Sequence, residues 1–199
     1  MEEQLGYNHI ITKSVCGEEI NYGILLGNEK IVFIKTGADG NINGYKNKYP
    51  KMAHRIHERI GATVICASNP YIKHGHEAAD QAIISQIASE AGYDEYEMYL
   101  VGTSDGANHN FALAKNIPQT TKLLGINTSS ISFNNLAEKL EGLSHIKKIL
   151  VYGTKDDEYA YAHLLQNLKC CNLEIVTIDG ADHQFTGMLN EFIALIDLL

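Results

Sequence analysis

Most of the features that would assign this chain of 199 residues to a special class are missing from it. It has only 3 prolines and no low-complexity tract, so disorder has little support. Basic residues are in deficit, 16 Lys and Arg against 24 Asp and Glu, for a formal charge of -8. Nucleic-acid backbones demand a surplus of cations on one face, so no nucleic-acid partner is expected. No apolar run approaches the ~20 residues of a membrane-spanning helix, and no membrane partner is expected. The opening MEEQLGYNHIITK is acidic and polar and lacks the basic-then-apolar order of a secretory leader. The 4 cysteines (Cys16, Cys66, Cys170 and Cys171) form neither a disulfide framework nor a CxxC metal knuckle. Free thiols in a reducing compartment follow, and with them an expected cytoplasmic location. No linker or internal repeat divides the sequence, so a single domain over 1–199 is expected.

What is present is an alternation. Short β-rich runs give way to Gly/Asn/Asp loops and then to helical stretches, with 45% hydrophobic residues to form a core. KIVFIK (30–35), ATVICAS (62–68), EMYLVG (97–102), KLLGINT (122–128), KKILVYG (147–153) and NLEIVTI (172–178) read as strands. Helices are predicted near 47–60, 77–91, 105–115, 133–142, 158–168 and 185–198, and 8–15 with 18–26 reads as an antiparallel edge hairpin. Near-continuous apolar strands between helices predict an α/β fold, a mostly parallel sheet with helices on both faces. The stretch between 122–128 and 147–153 holds one short helix and leaves no room for a lid or cap domain. Such sheets carry their ligands at the carboxyl ends of the strands.

Three side chains suited to acyl transfer fall at that edge. Gly102-Thr103-Ser104-Asp105-Gly106 fits the G-x-S-x-G pattern, which arises by chance roughly 0.06 times per chain of this composition. The motif directly follows the apolar MYLV and opens a helical run, the strand–turn–helix setting that exposes a nucleophile. The alternative is a phosphate-binding turn, although neither GxGxxG nor a P-loop is present. A serine hydroxyl needs a base to take its proton, usually a His held by a carboxylate. His183 lies in the loop after the last predicted strand. His54 and His57 read as a solvated helix face, His109 as a helix-packing or supporting residue, and His145 and His163 have no catalytic context. For the acid, Gly153-Thr154-Lys155-Asp156-Asp157-Glu158 follows a strand end. Asp156 ranks ahead of Asp157, with Glu158 third because it opens the next helix. Serine, acid and histidine thus follow three separate strands.

On VGTSDGA, VYGTKDDEY and GADHQF the chain resembles the α/β-hydrolase superfamily, close in style to its dienelactone-hydrolase-like and small lidless esterase members, from about residue 30 to the C-terminus. The resemblance implies Ser104 as nucleophile, His183 as general base and acid, and Asp156 as the orienting carboxylate. It also implies an oxyanion hole from the backbone N–H groups of Asp105 and, by position, Ala38. Two departures stand out. Thr36-Gly37-Ala38 occupies the place where the family often has His-Gly-x, and Asp105 puts a carboxylate beside the nucleophile, expected to turn away from the oxyanion. Asp39, Asn41 and Asn43 read as turn residues ahead of substrate contacts. His74 and His76, with Glu77 and Asp80, raise a metal site, ranked behind a plain rim role together with Tyr71 and Asn108; no metal and no cofactor are expected. The implied function is a serine hydrolase that cleaves a small soluble ester or thioester through an acyl-enzyme, its partner a small-molecule acyl substrate. A non-catalytic small-molecule binding protein of the same fold is the alternative, and a nucleotide-binding domain a third.

Overall fold

The computed structural model describes residues 6–72, 75–129 and 132–199. β1 (His9–Val15) and β2 (Glu18–Leu25) form the antiparallel hairpin at one edge. β2 then runs antiparallel to β4 (Ala62–Ala67), which is parallel to β3 (Asn28–Lys35). β5 (Glu97–Thr103), β6 (Thr120–Ile126), β7 (Lys147–Gly153) and β8 (Leu173–Ile178) extend the parallel part, giving the order β1-β2-β4-β3-β5-β6-β7-β8.

The apolar runs are continuous because both faces of the sheet are covered. Strand residues alternate between the two faces. Ile31, Phe33, Met98, Leu100, Leu123 and Leu150 pack beneath α2 (His76–Glu90), α3 (Asp105–Ala114), α4 (Phe133–Glu141) and α5 (Tyr159–Gln166). Val32, Ile34, Val101, Leu124, Ile149 and Val151 point the other way, under α1 (Lys48–Ile60) and α6 (Leu189–Ala194). Each such fully buried side chain contributes about 1.5–3 kcal/mol of transfer free energy. Between β6 and β7 the described residues carry α4 alone, so no cap covers the strand ends. Among the described residues no helix is long and apolar enough to cross a membrane.

Among the boundaries that differ from the sequence expectation, two turn on left-handed residues. The strand expected at 122–128 spans Thr120–Ile126 and stops at Asn127, whose φ is 47°. The last helix, expected from 185, begins at Leu189. Phe185 (φ 56°) and Gly187 (φ 77°) keep the chain out of the helical region. Asp182 Oδ1 meanwhile accepts the amides of Gln184 at 3.1 Å and Thr186 at 2.8 Å, closing a turn where the helix was expected.

Lys148, on β7, is fully buried, and among the described residues no carboxylate pairs with it. Its ammonium donates to the carbonyls of Leu143 (2.7 Å), Ile146 (3.0 Å) and Cys171 (2.9 Å), which supply the polar partners that burial of a charge requires. Desolvation holds its pKa below the ordinary lysine value.

Candidate active site

Ser104 alone joins β5 to α3, with φ 52° and ψ -122°, a conformation costly for a residue with a side chain. The surroundings enforce it. Its N–H donates to the Ile126 carbonyl at 2.8 Å, and its own carbonyl accepts from the Ala107 amide at 3.1 Å. The flanking glycines are required by proximity. A Cβ on Gly102 would stand 2.4 Å from Ala107 Cα, and one on Gly106 would stand 2.3 Å from the Thr36 carbonyl oxygen. Strand and helix can therefore approach only where those side chains are absent, and that approach bends the chain at the serine.

His183 follows β8 and brings Nε2 to 3.0 Å from Ser104 Oγ, with Nδ1 2.9 Å from Asp156 Oδ2. A carboxylate can only accept, so Nδ1 carries the ring proton and Nε2 turns its lone pair to the serine hydroxyl. Asp156 is only 6% exposed, and its other oxygen accepts from the Glu158 amide at 2.9 Å. Asp157 is exposed and Glu158 is the N-cap of α5, so of the three acids in this loop Asp156 is the one joined to the histidine. The structure thus brings Ser104, His183 and Asp156 into one hydrogen-bonded chain from the ends of β5, β8 and β7.

Asn127, which the sequence reading passed over, ties two of these loops together. Its Nδ2 donates to the carbonyls of Asp182 and His183, both at 3.1 Å, and its Oδ1 accepts from the Gly153 amide at 2.8 Å. One side chain therefore holds the start of the acid loop and the backbone of the histidine. The available signal was an Asn at the end of a strand, since Asn tolerates the left-handed turn found there.

The loop after β3 passes close to Ser104. A Cβ on Gly37 would lie 3.4 Å from Ser104 Cβ. The amides of Ala38 and Asp105 make no intramolecular hydrogen bond among the described residues, leaving two unused donors near the serine. Tyr49 braces this corner, its hydroxyl 2.8 Å from Thr103 Oγ1. Burial pushes the Tyr49 pKa up to about 12, with the hydrogen bonds from Thr103 and the Gly37 amide pulling it back.

Asp105 turns towards Asn69, whose Nδ2 donates to its Oδ2 at 3.2 Å. Asn41 closes a turn by accepting the amides of Asn43 and Gly44, both at 2.9 Å. His74 lies outside the described residues. His76, expected in a loop at the cleft rim, instead begins α2; it lines the cleft that holds Tyr71 and Asn108 and is buried against His109, the ring centroids 5.4 Å apart. Asp80 is fully buried. Its Oδ1 accepts from the Tyr22 hydroxyl at 2.7 Å, while Lys35 Nζ (2.9 Å) and His109 Nε2 (2.7 Å) reach Oδ2. Burial alone would raise its pKa; the approach of His109 and the Lys35 ammonium holds it below the usual carboxylate value. Among the described residues no group of three His, Cys, Asp or Glu side chains is arranged to hold a metal ion. Tyr71 and Asn108 line a cleft beside the serine, whereas His54 and His57 bond the carbonyls of Gly6 (2.7 Å) and Ala62 (2.9 Å) and line neither cleft at the site.

No family model and no curated protein matches this chain. Solved structures do. An α/β serine hydrolase homologue from Coxiella burnetii superposes with a TM-score of 0.73 at 14% identity, covering 99% of this chain and 100% of its own. A dienelactone hydrolase from Anabaena variabilis gives 0.65 at 16% identity, covering 98% and 97%. A lidless α/β serine hydrolase from Xanthomonas campestris gives 0.63 at 16% identity, covering 96% and 93%. At such identities the likeness is one of fold.

Proposed function

On the α/β-hydrolase fold that these likenesses establish, we propose that the chain is a serine hydrolase cleaving a small soluble ester or thioester through an acyl-enzyme on Ser104. The observation that carries this reading is the continuous hydrogen-bonded chain from Asp156 Oδ2 through His183 to Ser104 Oγ, with links of 2.9 and 3.0 Å. Ser104 Oγ attacks the carbonyl carbon as His183 Nε2 takes its proton. Asp156 keeps the ring oriented and favours the imidazolium that forms. Negative charge gathers on the carbonyl oxygen, and the Ala38 and Asp105 amides are the donors for it, each contributing about 3–4 kcal/mol to the barrier reduction. His183 then returns the proton to the leaving oxygen or sulfur, and the acyl group remains on Ser104. Water, deprotonated by the same nitrogen, releases the acid and restores the serine.

The cleft that holds Ser104 and His183 has a volume of about 400 Å³, near the lower end for small-molecule sites, which supports a small substrate. No step calls for a cofactor. The four free cysteines support a reducing, cytoplasmic setting, and the charge of -8 argues against nucleic acid as a partner. The competing reading, a binding protein with a degenerate site, draws on the carboxylate of Asp105 beside the nucleophile and on the altered Thr36-Gly37-Ala38 loop; the contact of Asp105 with Asn69 weakens the first objection.

Treatment with a fluorophosphonate probe tests the choice. Labelling of the wild type, lost in Ser104→Ala, is the expected result, followed by turnover of a p-nitrophenyl ester series that favours short chains. A folded wild-type protein that takes up no probe would overturn the hydrolase reading.

A further inference from the structure

Two clefts meet at Ala38 and Asp39, and they differ in charge. The first, about 400 Å³, carries the carboxylates of Asp39, Glu77 and Asp105. Lys139, which donates to Asn108 Oδ1 at 3.3 Å, and the rings of His76 and His109 complete its acidic and basic lining. The second holds Ser104 and His183, walled by Tyr45, Tyr49, Ile126 and Phe192, and Lys48 is its only basic residue other than His183. Exposed Asp39 lines both and so stands at their shared lip, whereas Lys48 belongs to the second alone.

Lys48 is half-buried, with Nζ 4.6 Å from the centroid of Phe192 and 5.2 Å from that of Tyr49. No carboxylate pairs with it among the described residues, and the first turn of α1 carries no acid. Burial accordingly lowers its pKa, as expected of a cation that has lost water without gaining a counter-ion. The two rings offer it their electron-rich faces, which attract a cation yet leave its N–H groups without a charged acceptor. A half-desolvated ammonium in the same small cleft as a nucleophile is a place for an anion.

We propose that Lys48 selects esters bearing a second, ionised carboxylate, which sits against its ammonium in the aromatic cleft while the scissile carbonyl lies at Ser104. Selection works by repulsion as well, since Glu77 and Asp105, which line the first cleft and not the second, oppose the same group and so bias which way the ester lies. The inference rests on the serine hydrolase reading and names its substrate class.

The test compares kcat/KM for pairs of esters alike in size and unlike in charge. Monomethyl glutarate against methyl valerate places the carboxylate on the acyl half; O-butyryl glycolate against ethyl butyrate places it on the alcohol half. In the wild type the charged member of at least one pair is preferred. That preference falls about tenfold in Lys48→Met, the loss of one charge-assisted hydrogen bond, and is largely kept in Lys48→Arg. No preference in either pair, or one that Lys48→Met leaves untouched, overturns the proposal. Fluorophosphonate labelling of each variant reports whether its site is formed. Should Lys48→Met fail to fold, inhibition of the wild type decides: free glutarate must inhibit more strongly than neutral glutaramide, and equal inhibition overturns it. If the wild type takes up no probe at all, the hydrolase reading falls separately, and calorimetric binding of glutarate, present in wild type and lost in Lys48→Met, tests the anion site alone.

Discussion

Lys35 Nζ lies 2.9 Å from Asp80 Oδ2, and neither side chain is exposed to water. Tyr22 and His109 complete the surround of that carboxylate, so one acid joins β2, β3, α2 and α3. Removing one partner of a buried pair leaves the other charge uncompensated, at a cost of about 3–5 kcal/mol. Lys35→Met is therefore expected to lower the denaturation midpoint strongly, and Lys35→Met/Asp80→Leu, which removes both charges, to be less damaging; chemical denaturation of the two proteins checks it. The Asp80 pKa is lowered by folding. Its contribution is thus fully present above the ordinary carboxylate value of about 3.9 and is lost as pH falls below it towards the folded value. Asp80→Asn is expected to flatten the acid limb of the stability–pH curve in that range.

Asp156→Asn keeps the size of the side chain and reverses the tautomer preference of His183, since an amide can donate to Nδ1 and leave the proton on Nε2. In the proposed mechanism kcat then falls by roughly three to four orders of magnitude, with far less change in KM. Steady-state kinetics on a short-chain ester measures both. An unaltered kcat would remove Asp156 from the mechanism.

Asn127→Ala releases the Gly153 amide and the carbonyls of Asp182 and His183 at once. Leaving buried polar groups unpaired costs about 1–3 kcal/mol of stability. Because those groups belong to the backbone of the acid and histidine loops, kcat should fall by more than tenfold beside the loss in melting temperature. Normal kcat at temperatures where the variant is fully folded would limit Asn127 to a role in stability.

Gly106→Ala adds a methyl 2.3 Å from the Thr36 carbonyl oxygen and 2.5 Å from that of Lys35. Both are backbone atoms that cannot rotate aside, so α3 must move away from β3. Overpacking of this kind costs about 1–3 kcal/mol. The displacement also separates the Asp105 amide from that of Ala38. Slower fluorophosphonate labelling together with a lower melting point is expected, and unchanged values of both would show that the gap is softer than the distances imply.

The strands were legible because each is an uninterrupted apolar run between turn residues, and the hairpin because the parallel pattern begins only at Lys30. Ser104, Asp156 and His183 were legible as positions because each follows a strand, which sends all three loops to one edge. What stayed hidden depends on partners remote in sequence. Nothing in KIVFIK marks Lys35 for burial, which makes sense only once Asp80, 45 positions later, is seen against it. Lys148 gives no warning either, since its partners are main-chain carbonyls that no side-chain pattern reports. The early end of β6 and the late start of α6 turned on Asn127 and Phe185 in left-handed geometry, which the unfavourable character of Phe there made hard to foresee.

The stretch from Asn41 to Lys48 contributes Tyr45 and Lys48 to the cleft wall and none of the three hydrogen-bonded side chains, which hang from β5, β7 and β8. Within that stretch Ile42 alone is buried, its carbonyl accepting from the Tyr7 hydroxyl at 2.7 Å. Grafting a different segment that keeps this one anchor between Gly40 and Tyr49 would reshape the cleft wall while Ser104, His183 and Asp156 stay in place, so diversification of this protein has a short and well-marked address.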